Sequence, residues 1–219
     1  MKIVRYLLGA LLVIQAFVVA PVFAQKMATV NVVQIFGTVD PAKVNDYTEY
    51  MAAVNMYEAL TTLDSSGSIK PLLAESWDVS ADTLTYTFKL KSGATFQDGS
   101  PVEAKDVVYS DNRLLALNEG PSYLFEGVLD ENSVSAVGND KVEFKLKKVY
   151  TPFLTNTPIL FVVNSDVAEA NKTSSDPWAQ DFIANNTIGA GAFKMTKWER
   201  GAPKTLERYK RYHLGCGHS

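Results

Sequence analysis

The sequence predicts an α/β chain behind an export signal. Two periodicities and one charge pattern carry that reading. Apolar residues recur at three- and four-residue spacing from Tyr47 to Leu60, the period of an amphipathic helix. They recur at every second position from Leu84 to Leu90 and again at Val142, Phe144 and Leu146, the period of half-buried strands. At the N-terminus, Lys2 and Arg5 precede an almost wholly apolar run from Tyr6 to Phe23, the order of a secretory signal.

The chain has 219 residues, 47% of them apolar, enough for one good core or two small ones. Val22-Phe23-Ala24 places tolerated side chains where a signal peptidase reads, so residues 1–24 are expected to be cleaved off between Ala24 and Gln25. An uncleaved anchor is the competing reading. Gln15 interrupts the apolar run and Pro21 breaks a helix near its end, which suits cleavage better. The single cysteine, Cys216, allows no internal disulfide, and none lies near Ala24 to take a lipid, so a soluble periplasmic product is expected. Removal of Lys2 and Arg5 leaves 19 of the 21 basic residues against 24 acidic ones, a formal charge of −5 that argues against a nucleic-acid partner.

After the signal, the β-branched run Ala28–Phe36 reads as a buried first strand released at Gly37 into a loop from Thr38 to Pro41. The helix Tyr47–Leu60 would bury Tyr47, Tyr50, Met51, Val54, Tyr57 and Leu60 against that strand. Asp64-Ser65-Ser66-Gly67-Ser68 is a turn by composition, and Leu84–Leu90 follows as a half-buried strand. Ser100-Pro101-Val102-Glu103 carries a capping hydroxyl, a first-turn proline and an acid at the third position, predicting a helix capped by Ser100 with Ala104, Val107 and Val108 on its inner face. Val134–Val137 and Val142–Leu146 flank Gly138-Asn139-Asp140, a β-hairpin. Pro158–Val163 is a further strand candidate, Ser165 a cap for a short helix from Asp166, and Gly189–Trp198 a loop followed by a strand.

These segments resemble the oligopeptide, dipeptide and nickel class of ABC-transporter solute-binding proteins, family 5. The most specific block runs from Pro71-Leu72-Leu73-Ala74-Glu75-Ser76-Trp77 through Leu84–Leu90 to Gly93–Val102 and Ala104–Ser110. Asp40-Pro41, Tyr57-Glu58-Ala59-Leu60, Tyr150–Leu154, Ile188–Lys194 and Arg208-Tyr209 to Tyr212 support it in the family's order, over about residues 29–215. Asp111 stands where the family usually has an aromatic or aliphatic residue, and Ala190 and Ala192 replace a threonine and a proline. The final Cys216-Gly217-His218-Ser219 resembles nothing in the family.

The resemblance implies the N-terminal lobe of a type II periplasmic-binding-protein fold with a small β-rich inserted subdomain, truncated before the second lobe. Its parts would be residues 25–70 as the first strand and helix, 71–185 as the inserted subdomain and its return, 186–215 as the lobe's continuation and 216–219 as an unmatched tail. Two lobes of such a protein close on a small solute, typically a peptide, and the closed form docks on an inner-membrane ABC permease with its ATPase subunits. A monomer without cofactor or metal is implied. Val44, Tyr47 and Tyr123 are the positions the resemblance turns toward the solute, with packing or plain exposure as the alternative for each. Trp77, Tyr86, Phe88 and Phe96 read as core aromatics and Asp98-Gly99 as a turn.

Enzyme readings find little footing. There is no Gly-x-Ser-x-Gly elbow, and the only histidines, His213 and His218, lie in the last seven residues. His213, Cys216 and His218 form a compact potential zinc cluster, but on a glycine-rich terminus without supporting structure. Gly189-Ala190-Gly191 lacks the ending of a phosphate loop and reads as a turn before Phe193. The pairs Asp98 with Glu103 and Asp106 with Asp111 are expected to lie on solvated helix faces. A membrane-anchored or secreted protein-interaction module and a non-functional fragment remain as alternatives to solute binding.

Overall fold

Three polar side chains of one helix organise the molecule. The structure, a computed structural model, describes residues 37–197 and 205–215. The expected signal segment with its Ala24 cleavage point, the strand Ala28–Phe36, Trp198, Cys216 and His218 lie outside the described residues.

The described elements run α1 (Tyr47–Met56), β1 (Glu58–Ala59), β2 (Thr61–Leu63), β3 (Ile69–Pro71), β4 (Ala74–Val79), β5 (Thr85–Leu90), α2 (Ala104–Leu117), β6 (Val134–Val137) and β7 (Lys141–Lys145). They continue with α3 (Phe153–Asn156), β8 (Phe161–Val162), α4 (Ser165–Asn171), α5 (Gln180–Ile183), β9 (Phe193–Lys197) and β10 (Thr205–Arg208). Strands β4, β5, β7 and β6 form an antiparallel sheet in that order, with Tyr86 opposite Phe144 and Phe144 opposite Val134. The pairs β2–β3, β1–β8 and β9–β10 are also antiparallel.

Alternation along β5 works as its sequence pattern requires: Tyr86, Phe88 and Leu90 are buried, and Phe88 packs edge-on against Phe144 at 5.6 Å between ring centres. Phe153 joins them, 4.6 Å from Tyr86 and 5.4 Å from Phe144, so the sheet, α2 and α3 share one apolar cluster. A second cluster gathers Val44, Met56, Tyr57, Phe161, Ile183 and Ile188. Trp77 is half-buried on Phe88, and Phe96 is fully buried. The Asp64 turn and the hairpin at Gly138 form as expected; Asp64 Oδ1 accepts the amides of Ser66 and Ser68, both at 2.9 Å.

Helix α2 passes between the clusters, and its inward polar residues fasten three separate segments. Asp106 Oδ1 accepts the Ser165 amide at 3.0 Å and its hydroxyl at 2.6 Å, holding the start of α4. The Ser110 hydroxyl accepts the Val163 amide at 2.9 Å, just beyond β8. The Arg113 guanidinium grips both oxygens of Asp40 at 2.7 and 2.5 Å and donates through Nε to the Trp178 carbonyl at 2.8 Å. All three side chains are buried, and each polar group meets a partner, as a buried polar group must.

Four expectations need correction. Helix α1 stops at Met56, because Tyr57 turns extended and carries the chain into β1. Ser100 does not cap α2: Pro101 is held in a bridge with Thr95, and the helix starts three residues later, with Glu103 and Asp106 forming the reciprocal capping box. Asn164, not Ser165, caps α4, its side chain accepting the Val167 amide at 3.1 Å. The apolar stretch Pro158–Val163 extends only over β8, since Thr157–Ile159 coils into a 3-10 turn.

Candidate functional site

Asp40 begins the site. Anchored by Arg113, its carboxylate also accepts the Ala42 amide at 3.0 Å, closing the 3-10 turn Pro41–Lys43. That turn packs on Gly120, the first residue of a second 3-10 segment, Gly120–Phe125. A Cβ at Gly120 would sit 2.7 Å from the Ala42 carbonyl oxygen and 2.9 Å from that of Val44, and φ is +50°, so only glycine lets the segments meet this closely. Lys43 and Glu119 bridge the same junction at 3.2 Å. The candidate residues therefore stand on two touching segments: Val44 and Tyr47 follow the first turn, and Tyr123 belongs to the second.

Their exposure differs. Val44 is buried in the second cluster, whereas Tyr47 is 77% and Tyr123 71% exposed. Helix α1 has the opposite face inward from the one its apolar pattern suggests. It buries Glu49, Ala53 and Met56 and turns Tyr47, Met51 and Val54 outward. The cause is Glu49, whose carboxylate reaches back to the amides of Gly37 at 3.3 Å and Asn45 at 3.1 Å, while Asp46 caps the helix through the Glu49 amide at 2.9 Å. Every exposed residue of α1 is thus apolar, at i, i+4 and i+7. Apolar spacing alone puts Met51 and Val54 on the buried side; the spacing Asp46-x-x-Glu49 is the sequence signal that places them outside.

The far end of α1 is fixed by Gln97. Its Nε2 donates to the carbonyls of Met56 at 2.9 Å, Gly191 at 3.2 Å and Phe193 at 2.7 Å. The Gly191 amide bonds the Met56 carbonyl at 3.0 Å, and a Cβ there would lie 2.5 Å from the Met56 carbonyl carbon. The Gly189-Ala190-Gly191 turn is taken up by this close backbone packing.

Two buried acids lie elsewhere. Glu58 in β1 holds the Tyr212 hydroxyl at 2.5 Å and His213 Nε2 at 2.6 Å. Asp111 on α2 is 3% exposed beside a cavity of about 10 Å³, the room of about one water. Burial pushes its carboxyl up to about 8, and burial also raises that of Asp106. Asp106 and Asp111 therefore do not sit on a solvated face, contrary to expectation, because Asp106 is consumed in capping and in holding Ser165. Among the described residues no group of three or more metal-ligating side chains occurs.

The exposed side chains Tyr47, Met51, Val54 and Tyr123 thus stand on α1 and on the Gly120–Phe125 segment, the two parts of the chain joined at the Asp40 turn. Residues 68–218 match the family model of the bacterial extracellular solute-binding proteins, family 5, and the chain belongs to that family. The chain is 31% identical to a probable D,D-dipeptide-binding periplasmic protein of Escherichia coli, over 77% of this chain and 33% of that one. It is 29% identical to a glutathione-binding protein of Pectobacterium atrosepticum, over 97% of this chain and 40% of the relative. Its structure superposes on the nickel–histidine complex of NikZ from Campylobacter jejuni with a TM-score of 0.72 at 25% identity, covering 83% of this chain and 35% of that one. The fold is that of type II periplasmic-binding proteins, and the chain spans between a third and two fifths of the length of these relatives.

Proposed function

We propose that this chain captures a small peptide-type solute outside the cytoplasm and delivers it to an inner-membrane ABC permease, without a catalytic step. In this reading the signal segment is cleaved after Ala24 and the product works in the periplasm. Among the described residues no helix is long and apolar enough to cross a membrane, and the relatives named for dipeptide and glutathione binding support the peptide class.

The observation that carries the proposal is the outward apolar stripe Tyr47, Met51 and Val54, together with Tyr123 on the adjoining segment. Monomeric proteins seldom leave large apolar side chains grouped on one helix face without a use for them. Glu49 and Asp46 fix the start of α1, and the Asp40–Arg113 pair fixes the turn that leads into it, which limits the ordering cost of capture. Val44 acts in this scheme from below, as the packed base of the turn.

Isothermal titration with a D,D-dipeptide, glutathione and a panel of di- and tripeptides tests it. One of these should bind saturably, and Tyr47→Ala and Tyr123→Ala should each weaken it at least about tenfold, or about 1.4 kcal/mol, with the unfolding midpoint unchanged. Failure of every peptide, or affinity indifferent to both substitutions, overturns the reading.

A further inference from the structure

A groove of about 360 Å³ runs between β9 and the end of α5 and shares no residue with the Tyr47–Tyr123 surface. That volume lies within the range of small-molecule sites. Its apolar floor includes Phe96 and Met195, 1% and 9% exposed, and half-buried Phe182 forms a side.

The rim is polar in a specific way. Asn185 donates its Nδ2 to the Asp181 carbonyl at 3.0 Å, and Asn186 donates its own to the Phe182 carbonyl at 2.9 Å. Each amide still has its Oδ1, an acceptor, and one N–H, a donor, to offer. Lys194 also lines the groove, exposed and in no ion pair among the described residues. The groove's carboxylate, Asp98, is occupied: Oδ1 accepts from the amide and hydroxyl of Ser100 at 2.9 and 2.6 Å, and Oδ2 from Asn164 Nδ2 at 2.9 Å. Spare amide acceptors and donors, an available cation and an apolar floor call for a solute that brings hydroxyl groups, which both donate and accept, a negative end and C–H faces.

We propose that this groove is a second binding site, for a small hydroxylated carboxylate of the sugar-acid type. A plain polyol lacks the charge for Lys194, and a fatty acid lacks donors for Asn185 and Asn186. Apolar contact with the floor supplies area, and the rim supplies orientation.

The test is titration of the full chain with D-gluconate, sorbitol and hexanoate. Gluconate should bind saturably, and the other two at least about tenfold more weakly. Lys194→Met, a surface change that leaves the unfolding midpoint in place, should weaken gluconate at least about tenfold, as should Asn186→Ala, while Tyr47→Ala leaves it unaltered. No saturation by gluconate at millimolar concentrations, equal binding of sorbitol or hexanoate, or indifference to Lys194→Met overturns the site. Loss of gluconate binding on Tyr47→Ala would place the ligand on the other surface and overturn it equally. Because the peptide titrations read Tyr47 and Tyr123, this site and the peptide surface stand or fall separately.

Discussion

Asp111 has its carboxyl raised by burial to about 8, from an ordinary value near 4. Between those two values the folded protein keeps a proton that the unfolded chain has released. The folded state then binds more protons, so this residue lowers stability as pH climbs from about 4 to about 8 and adds no further slope outside that window. Replacing the acid by its neutral amide would remove the slope. Asp111→Asn should match the unsubstituted chain near pH 4 and exceed it at pH 8, by about 1–3 kcal/mol if one to two units of the window are expressed. Chemical denaturation of both proteins at the two pH values checks this; a difference that does not change with pH would refute it. The oddity of Asp111 was legible in the sequence as a departure from the family's apolar choice. Its burial was not, because a polar residue on a helix reads as solvated unless the partners of the neighbouring turns are known.

Helices α1 and α2 show what periodicity conveys and what it leaves open. The three- and four-residue spacing correctly announced a helix from Tyr47, but an apolar stripe names a face, not the direction that face points. In α1 the inward direction was chosen by Glu49 and its two backbone amides, a pattern of polar contacts that hydrophobic bookkeeping ignores. In α2 the inner face carries Asp106, Ser110 and Arg113, whose partners lie on segments far away in sequence. The two helices should answer substitution in opposite ways. Arg113→Ala strands Asp40 as an unpaired buried carboxylate and should cost about 3–5 kcal/mol, whereas Met51→Ser should fall within about 0.5 kcal/mol of the unsubstituted chain. Urea unfolding separates these outcomes; a large loss from Met51→Ser would mean that the α1 stripe is covered rather than open. Tyr47 and Tyr123 were singled out through family resemblance, while the exposure of Met51 and Val54 depended on the orientation of α1.

Across the whole molecule, the segment after β10 is fastened to the first third of the described chain. Tyr209 shares a hydrogen bond with Thr95 at 2.9 Å, and Tyr212 and His213 meet Glu58. Sequence reading saw His213 only as a potential zinc ligand, since nothing local marks a contact that spans 155 positions. His213→Ala leaves Glu58 short of a partner and should lower stability by about 1–3 kcal/mol. Faster tryptic cleavage at Lys210 and Arg211 would report the loosened segment, and unchanged cleavage with unchanged stability would show the contact to be dispensable. This clasp also sets an order of events during synthesis. Glu58 leaves the ribosome well before His213, by roughly 8–30 s at ordinary elongation rates over 155 residues. Throughout that interval β1 lacks the groups that satisfy its buried carboxylate, and the nascent chain is held short of its stable form. Under the proposed export, a closure supplied from so far downstream would work as a timer, keeping β1 open while the chain is threaded through a membrane.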